Sequence, residues 1–207
     1  MTVEMEQLVR IFPVRIPPAF VPGIGGGRSP TESYPVPIPA VFARLMGGEL
    51  PSQRGLAHRP PYRPTIGAGV DAIRPGGFTH DAVDVAAAYG AEVLATCDGT
   101  IFTAWTYRGH TRPGAGYLDD VAGYVRVDGP EHYVVYYAHL LPIVVAPGQA
   151  VRTGQLLGYS FHKGVHGGPA HLHFQIRQPS PGNPASGGRR VNPEDRLRTL
   201  LGRLAVP

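Results

Sequence analysis

"PAHLHFQIR", residues 169–177, decides how this chain is read. Successive side chains of an extended strand point to opposite faces, so Leu172, Phe174 and Ile176 fall in one apolar row. His171, His173 and Gln175 fall in the other. A strand with a good apolar face needs no imidazoles opposite it, and two side by side mark that second face for chemistry. The same texture runs from Thr65 to about Gln178, as short β-like stretches broken by Gly and Asp. "AEVLATCDGTIFTAW", "GYVRVDG", "HYVVYYAHLL", "QLLGYSF" and "AHLHFQIR" are the candidate strands.

Composition agrees with a β-rich domain. The 207 residues suit one domain with appendages, and a 43% hydrophobic fraction is enough for a core. Charged residues make up only 16%, while 28 Gly and 23 Pro favour short strands and turns over long helices. The net charge of +4 comes from arginine, since Lys163 is the single lysine. No Lys/Arg-rich run interleaved with aromatics occurs, so no nucleic-acid partner is expected. Cys97 is the only cysteine, which excludes an internal disulfide and a thiolate zinc cluster. It lies in a strand-like run and reads as a small buried apolar residue. The opening "MTVEMEQLVRIFPVRIPPAF" lacks a basic region followed by an uninterrupted apolar stretch. Neither a secretory signal nor a membrane span is expected from it.

Three regions follow. Twelve of the 23 prolines lie in residues 1–64, so this region reads as an extended arm with a short helix around "PAVFARLM". It is expected to cover its own domain or to dock on a protein partner. Residues 65–178 form the domain. Residues 179–207 hold a flexible connector, "QPSPGNPASGGRR", and then "NPEDRLRTLLGRL". There Asn192 can cap a helix, Pro193 suits its first position, and acidic residues fill its first turn. Leu197, Leu200, Leu201 and Leu204 make one stripe, which predicts a short amphipathic helix.

Three stretches gather four histidines and an aspartate. "HDAVD" holds His80 and Asp84, which share a face if the stretch is a strand. "YYAHLL" holds His139, with the parity of Tyr137 and Val135. "HLH" supplies His171 and His173. Each alone reads most simply as a structural residue. Together they offer nitrogen ligands and one oxygen ligand, and a catalytic zinc uses about three protein ligands plus a water. Two of the five side chains then remain for proton transfer. No H-E-x-x-H, G-x-S-x-G or P-loop pattern occurs.

These motifs resemble the lysostaphin/LytM-type zinc endopeptidases, which cut peptide bonds in bacterial peptidoglycan. The resemblance runs from about Ile66 to Ile176 and is carried by "HDAVD", "AEVLATCDGTI", "YVVYYAHL", "VAPGQAVRTGQLLGYS" and "GGPAHLHFQIR", with an echo at "VNPEDRL". It implies a mainly β fold, an antiparallel β-sheet or sandwich of duplicated-hybrid-motif type with a catalytic groove. It implies that His80, Asp84 and His173 hold one Zn²⁺ per chain. His139 and His171 would serve as general base and transition-state stabiliser. Zinc would polarise the scissile carbonyl and lower the pKa of water towards about 7. Tyr137, His110, His166 and Gln175 are candidate groove residues, although His110, His162 and His166 read more simply as solvated loop residues. The loop 106–123 would wall the groove.

The chain departs from the family pattern at several points. Ala82 replaces the usual glycine of the first motif, "VHGGPAHLHFQ" lacks a Ser/Thr and inserts an Ala, and Gln175 stands for a Glu. The usual Ser-x-Phe-Gly-x-Arg is only faintly echoed in "GAGVDAIRPGG". These changes bear on substrate choice more than on metal binding. Peptidoglycan peptides are the expected substrate and the cell wall the expected place of action. The route there is open, and includes delivery by a phage-tail or contractile-injection-like machine. Two other readings compete. A biotinyl- or lipoyl-type carrier barrel needs a lysine at a hairpin tip, and Lys163 lies outside that position. A catalytically inactive scaffold or regulatory module would be expected to lose ligands, and all five key side chains are present.

Overall fold

In the computed structural model, the histidine stretch builds a strand in the interior of the sheet. The structure describes residues 5–15, 64–74, 76–86, 91–106, 123–160, 171–178 and 188–204. In chain order these contain helix α1 (Met5–Leu8) and strands β1 (Val14–Arg15), β2 (Thr65–Ile66), β3 (Val83–Ala86), β4 (Glu92–Leu94) and β5 (Gly99–Thr106). Strands β6 (Gly123–Asp128), β7 (Val134–Ile143), β8 (Ala150–Val151), β9 (Leu156–Ser160), β10 (His171–Gln178) and β11 (Arg189–Val191) follow, and helix α2 (Glu194–Leu204) is last. Every pairing is antiparallel, and the strands share one sheet whose main path runs β1-β4-β9-β7-β10-β3-β2.

β10 lies between β3 and β7, and its register sorts the two faces. Leu172 pairs with Val85, and Phe174 pairs with Val83 on one side and Tyr137 on the other. Ile176 pairs with Val135. All of these are fully buried and join Ile101, Val127, Leu140 and Leu157 in the core. The alternate residues form the polar face, where His173 pairs with Asp84 and Gln175 with Tyr136.

Residues 5–15 do not behave as an extended arm. α1 and β1 bury Leu8, Val9, Phe12 and Val14 in the same core, and β1 pairs with β4. Arg196 of α2 donates to the Val9 carbonyl at 2.9 Å and meets Glu6, so the two ends of the described chain are tied together. Pro13 lies between the two elements and prevents neither. The rest of the proline-rich region, with "PAVFARLM", lies outside the described residues. If residues 5–15 belong to the core, Phe12→Ala should cost about 3–5 kcal/mol. The check is a lowered urea midpoint with an unchanged slope.

The single run expected over "AEVLATCDGTIFTAW" is two strands, β4 and β5. They are separated by a turn in which Asp98 Oδ1 accepts from Thr153 N at 2.7 Å and Thr153 Oγ1 at 2.8 Å. Cys97 sits in that turn, buried as expected, and burial first, with Asp98 second, pushes its thiol up to about 11. The connector contributes Arg189 and Arg190 to β11, which lengthens the sheet beside β10. α2 begins as its sequence predicts: Glu194 N donates to Asn192 Oδ1 at 2.9 Å, and Leu197 N to the Pro193 carbonyl. Leu197 and Leu200 are buried and Leu201 packs against the core, while Leu204, on the last turn, is exposed. Among the described residues no helix is long and apolar enough to cross a membrane.

Candidate functional site

The polar face of β10 meets two irregular segments, and these carry the site. His80 precedes β3 and is not part of a strand shared with Asp84. A hairpin places it: His80 N donates to Ala72 O and Asp71 N to His80 O, each at 2.8 Å. Arg74 N closes the hairpin onto Phe78 O at 3.0 Å. Gly76 and Gly77 have φ of +96° and +81°, the left-handed region that the tight tip requires.

His139 is placed by a bulge. Parity alone would send it into the core behind Val135 and Tyr137. In the pairing of β6 with β7, however, Tyr124 faces Ala138 and Gly123 faces Leu140, so His139 is an extra residue. Its φ is +66°, rare for a residue with a side chain. The bulge turns the ring to the polar face, with its centroid 4.9 Å from that of His171 and 5.6 Å from that of His173.

Three donor atoms converge on this face. His80 Nε2 lies 3.1 Å from Asp84 Oδ1 and 3.2 Å from His173 Nδ1, and the last two are 3.4 Å apart. Metal bonds of 2.0–2.1 Å in tetrahedral geometry separate neighbouring ligand atoms by about 3.3–3.4 Å. The triangle therefore has nearly the dimensions of one face of such a site. Asp84 Oδ1 is buried with no hydrogen-bond partner, although three imidazoles surround it. An oxygen so placed costs free energy unless a cation satisfies it. Two imidazoles and one carboxylate are also the donor types a catalytic zinc takes, whereas calcium and magnesium prefer oxygen alone. The residues fit the group.

The atoms turned away from the triangle are held. His80 Nδ1 is 3.0 Å from the Gly69 carbonyl, which can only accept, so Nδ1 carries the proton and Nε2 the lone pair. Arg74 Nη2 donates to Asp84 Oδ2, leaving Oδ1 to the triangle. Burial pushes the Asp84 carboxyl up, but His173, the charge of His171, Arg74 and His80 together hold it well below the usual carboxylate range. Burial lowers the His173 imidazole, yet Asp81 and Asp84 outweigh that and raise it above its ordinary value. His171 Nε2 lies 3.6 Å from Asp84 Oδ1, beside the triangle.

The groove candidates fare differently. Tyr137 is fully buried, packs on Phe174, and bonds its hydroxyl to Thr96, so it is a core residue. Gln175 is on the polar face but buried, its amide donated to the Asp81 carbonyl at 3.0 Å, so it braces the site from within. His110, His162 and His166, and the loop 106–123 beyond its end residues, lie outside the described residues. The motifs single out neither Asp81 nor Tyr136, and they touch Arg74 only as the arginine of the faint Ser-x-Phe-Gly-x-Arg echo. Tyr136, not Tyr137, faces Gln175, and strand parity counted back from the core residue Val135 would have found it.

Comparison with known proteins identifies the family. A family model described as peptidase family M23 matches residues 78–193, more than half of the chain. The glycyl-glycine endopeptidase ALE-1 of Staphylococcus capitis is 34% identical over 55% of this chain and 29% of its own length. The peptidoglycan DD-endopeptidase ShyA of Vibrio cholerae is 34% identical over 47% of this chain and 20% of its own. The chain thus spans less than a third of these curated relatives. The solved structure of the antimicrobial peptidase lysostaphin from Staphylococcus simulans is 25% identical, with a TM-score of 0.51 over 69% of this chain and 53% of that one. The match takes in both the hairpin histidine and the HLH strand that the sheet brings together, and the chain belongs to peptidase family M23.

Proposed function

We propose that this chain is a zinc-dependent endopeptidase that hydrolyses peptide bonds of bacterial peptidoglycan. The observation that carries the reading is the triangle of His80 Nε2, Asp84 Oδ1 and His173 Nδ1, with two further imidazoles beside it on the same face. The names of the relatives supply the substrate class: one is a glycyl-glycine endopeptidase, the other a peptidoglycan DD-endopeptidase.

His80, Asp84 and His173 would hold the ion, which when bound supplies Lewis-acid polarisation of a peptide carbonyl and water of lowered pKa. The remaining chemistry falls to His139 and His171. An imidazole titrates near neutral pH, so one of the pair accepts the proton of attacking water and the other supports charge on the carbonyl oxygen or the leaving nitrogen. Their rings are edge to face at 4.9 Å, so each limits where the other can turn. The strands below set that geometry, with Leu172 and Phe174 anchored in the core on either side of His173. Against the inactive-scaffold reading stands the grouping of all five key side chains on one face.

The test is incubation with purified sacculi of different crosslink types, followed by mass spectrometry of what is released. Peptide fragments with new amino and carboxyl termini are expected, with loss of release in a strong chelator and recovery on added Zn²⁺. Intact sacculi of every type in the presence of zinc would refute the reading.

A further inference from the structure

Three side chains on the polar face of β10 converge on one residue that the motif pattern leaves unexplained, Asp81. Arg177 Nη2 donates to Asp81 Oδ2 at 2.6 Å. Gln175 Nε2 donates to the Asp81 backbone carbonyl at 3.0 Å. His173 turns Nε2 towards Asp81 Oδ1 at 3.7 Å. With its main chain held by Gln175 and one oxygen held by Arg177, the other oxygen is aimed at a single imidazole edge.

We propose that Asp81 is a positioning residue for the metal ligand His173, its carboxylate holding the proton on Nε2 so that Nδ1 is the nitrogen presented to the ion. This rests on the metal-site reading above. A neutral imidazole has one N–H and one lone pair, and the partner of one nitrogen decides the use of the other. At 3.7 Å the contact is electrostatic rather than a hydrogen bond, yet an anionic oxygen there still favours a proton on Nε2. The other two ligands are backed in the same manner, His80 through the Gly69 carbonyl and Asp84 through Arg74. Asp81 completes the set, so that each atom not needed in the triangle has its own holder. Arg177 also reaches the Gly188 carbonyl at 3.4 Å, which links this outer carboxylate to the chain just before β11.

The alternative is that Asp81 only pairs Arg177 and steadies that edge. Zinc titration of the metal-stripped full chain, in competition with a chromophoric chelator, separates the two. Asp81→Asn keeps the shape and removes the charge, and its side chain is partly exposed, so folding should survive; Asp81→Ser is a second variant. Either should weaken Zn²⁺ binding by about 10–100-fold, and Asp81→Glu should recover most of the loss. The cobalt(II)-loaded Asn variant should show an altered visible spectrum, because the orientation of His173 changes. A purely structural role would lower the melting temperature of the metal-free protein and leave zinc affinity within about threefold of wild type, which would overturn the proposal. A folded wild-type chain that binds no zinc would overturn the metal-site reading and this inference together. Tight wild-type binding beside unaffected Asn and Ser variants would overturn this inference alone.

Discussion

Replacing His173 by alanine is expected to abolish stoichiometric metal uptake and to lower peptide-bond hydrolysis by at least about 10³-fold. Three atoms form the triangle, and removing His173 Nδ1 leaves His80 Nε2 and Asp84 Oδ1 with no other donor among the described residues that groups with both. The polarisation that a bound ion lends to a carbonyl accounts for several kcal/mol of transition-state stabilisation, and each 1.36 kcal/mol is about tenfold in rate. The fold should tolerate the change. The His173 side chain is 24% exposed and lies on the polar face, while Leu172 and Phe174 keep β10 seated in the core. Metal content per chain by atomic emission, fragment release from sacculi and a urea unfolding curve together decide the matter. A variant that keeps one metal per chain and its activity would remove His173 from the site.

The variant also shows what kind of information the sequence carried. Along β10, two-residue alternation is enough: Leu172, Phe174 and Ile176 enter the core and the histidines do not, because neighbours on both sides enforce the pleat. Asp84 is legible for the same reason, since Val83 and Val85 are plain core residues and fix its face. His80 joins the triangle by a different local route from the strand parity that its sequence suggests. It stands on a hairpin closed by backbone bonds from Asp71, Arg74 and His80 itself, and such bonds leave little trace in side-chain pattern. The same parity rule misplaced Tyr137, which shares the buried side of β7 with Val135. It also concealed why His139 is not buried with them. Residues 5–15 were hidden by the proline-dense region they begin, although "LVRIFPV" contains four of the side chains that the core buries. Edge strands of two residues are stabilised almost wholly by tertiary partners, and a local reading has no access to these.

His139 offers the sharpest separation of structural from chemical purpose. At φ +66° a residue with a Cβ sits in a sparsely populated region, at a cost of order 1–3 kcal/mol that persists only where the surroundings enforce it. Glycine has no such penalty there. His139→Gly should therefore leave the urea midpoint unchanged or higher, with the loss of a half-buried ring offsetting part of the relief. Catalysis should move the opposite way. His139 supplies no atom to the triangle, so metal content should stay at one per chain, while kcat falls by about 10²–10⁴-fold, the usual worth of a positioned acid or base. His171→Ala should show the same retained metal and a similar loss. The double variant should lose much less than the product of the two, because residues that act as a unit in one step are not additive. If the bulge served only to pack β7 against β6, His139→Gly would change stability and leave turnover near wild type. That result would remove His139 from the chemistry while leaving the metal site untouched.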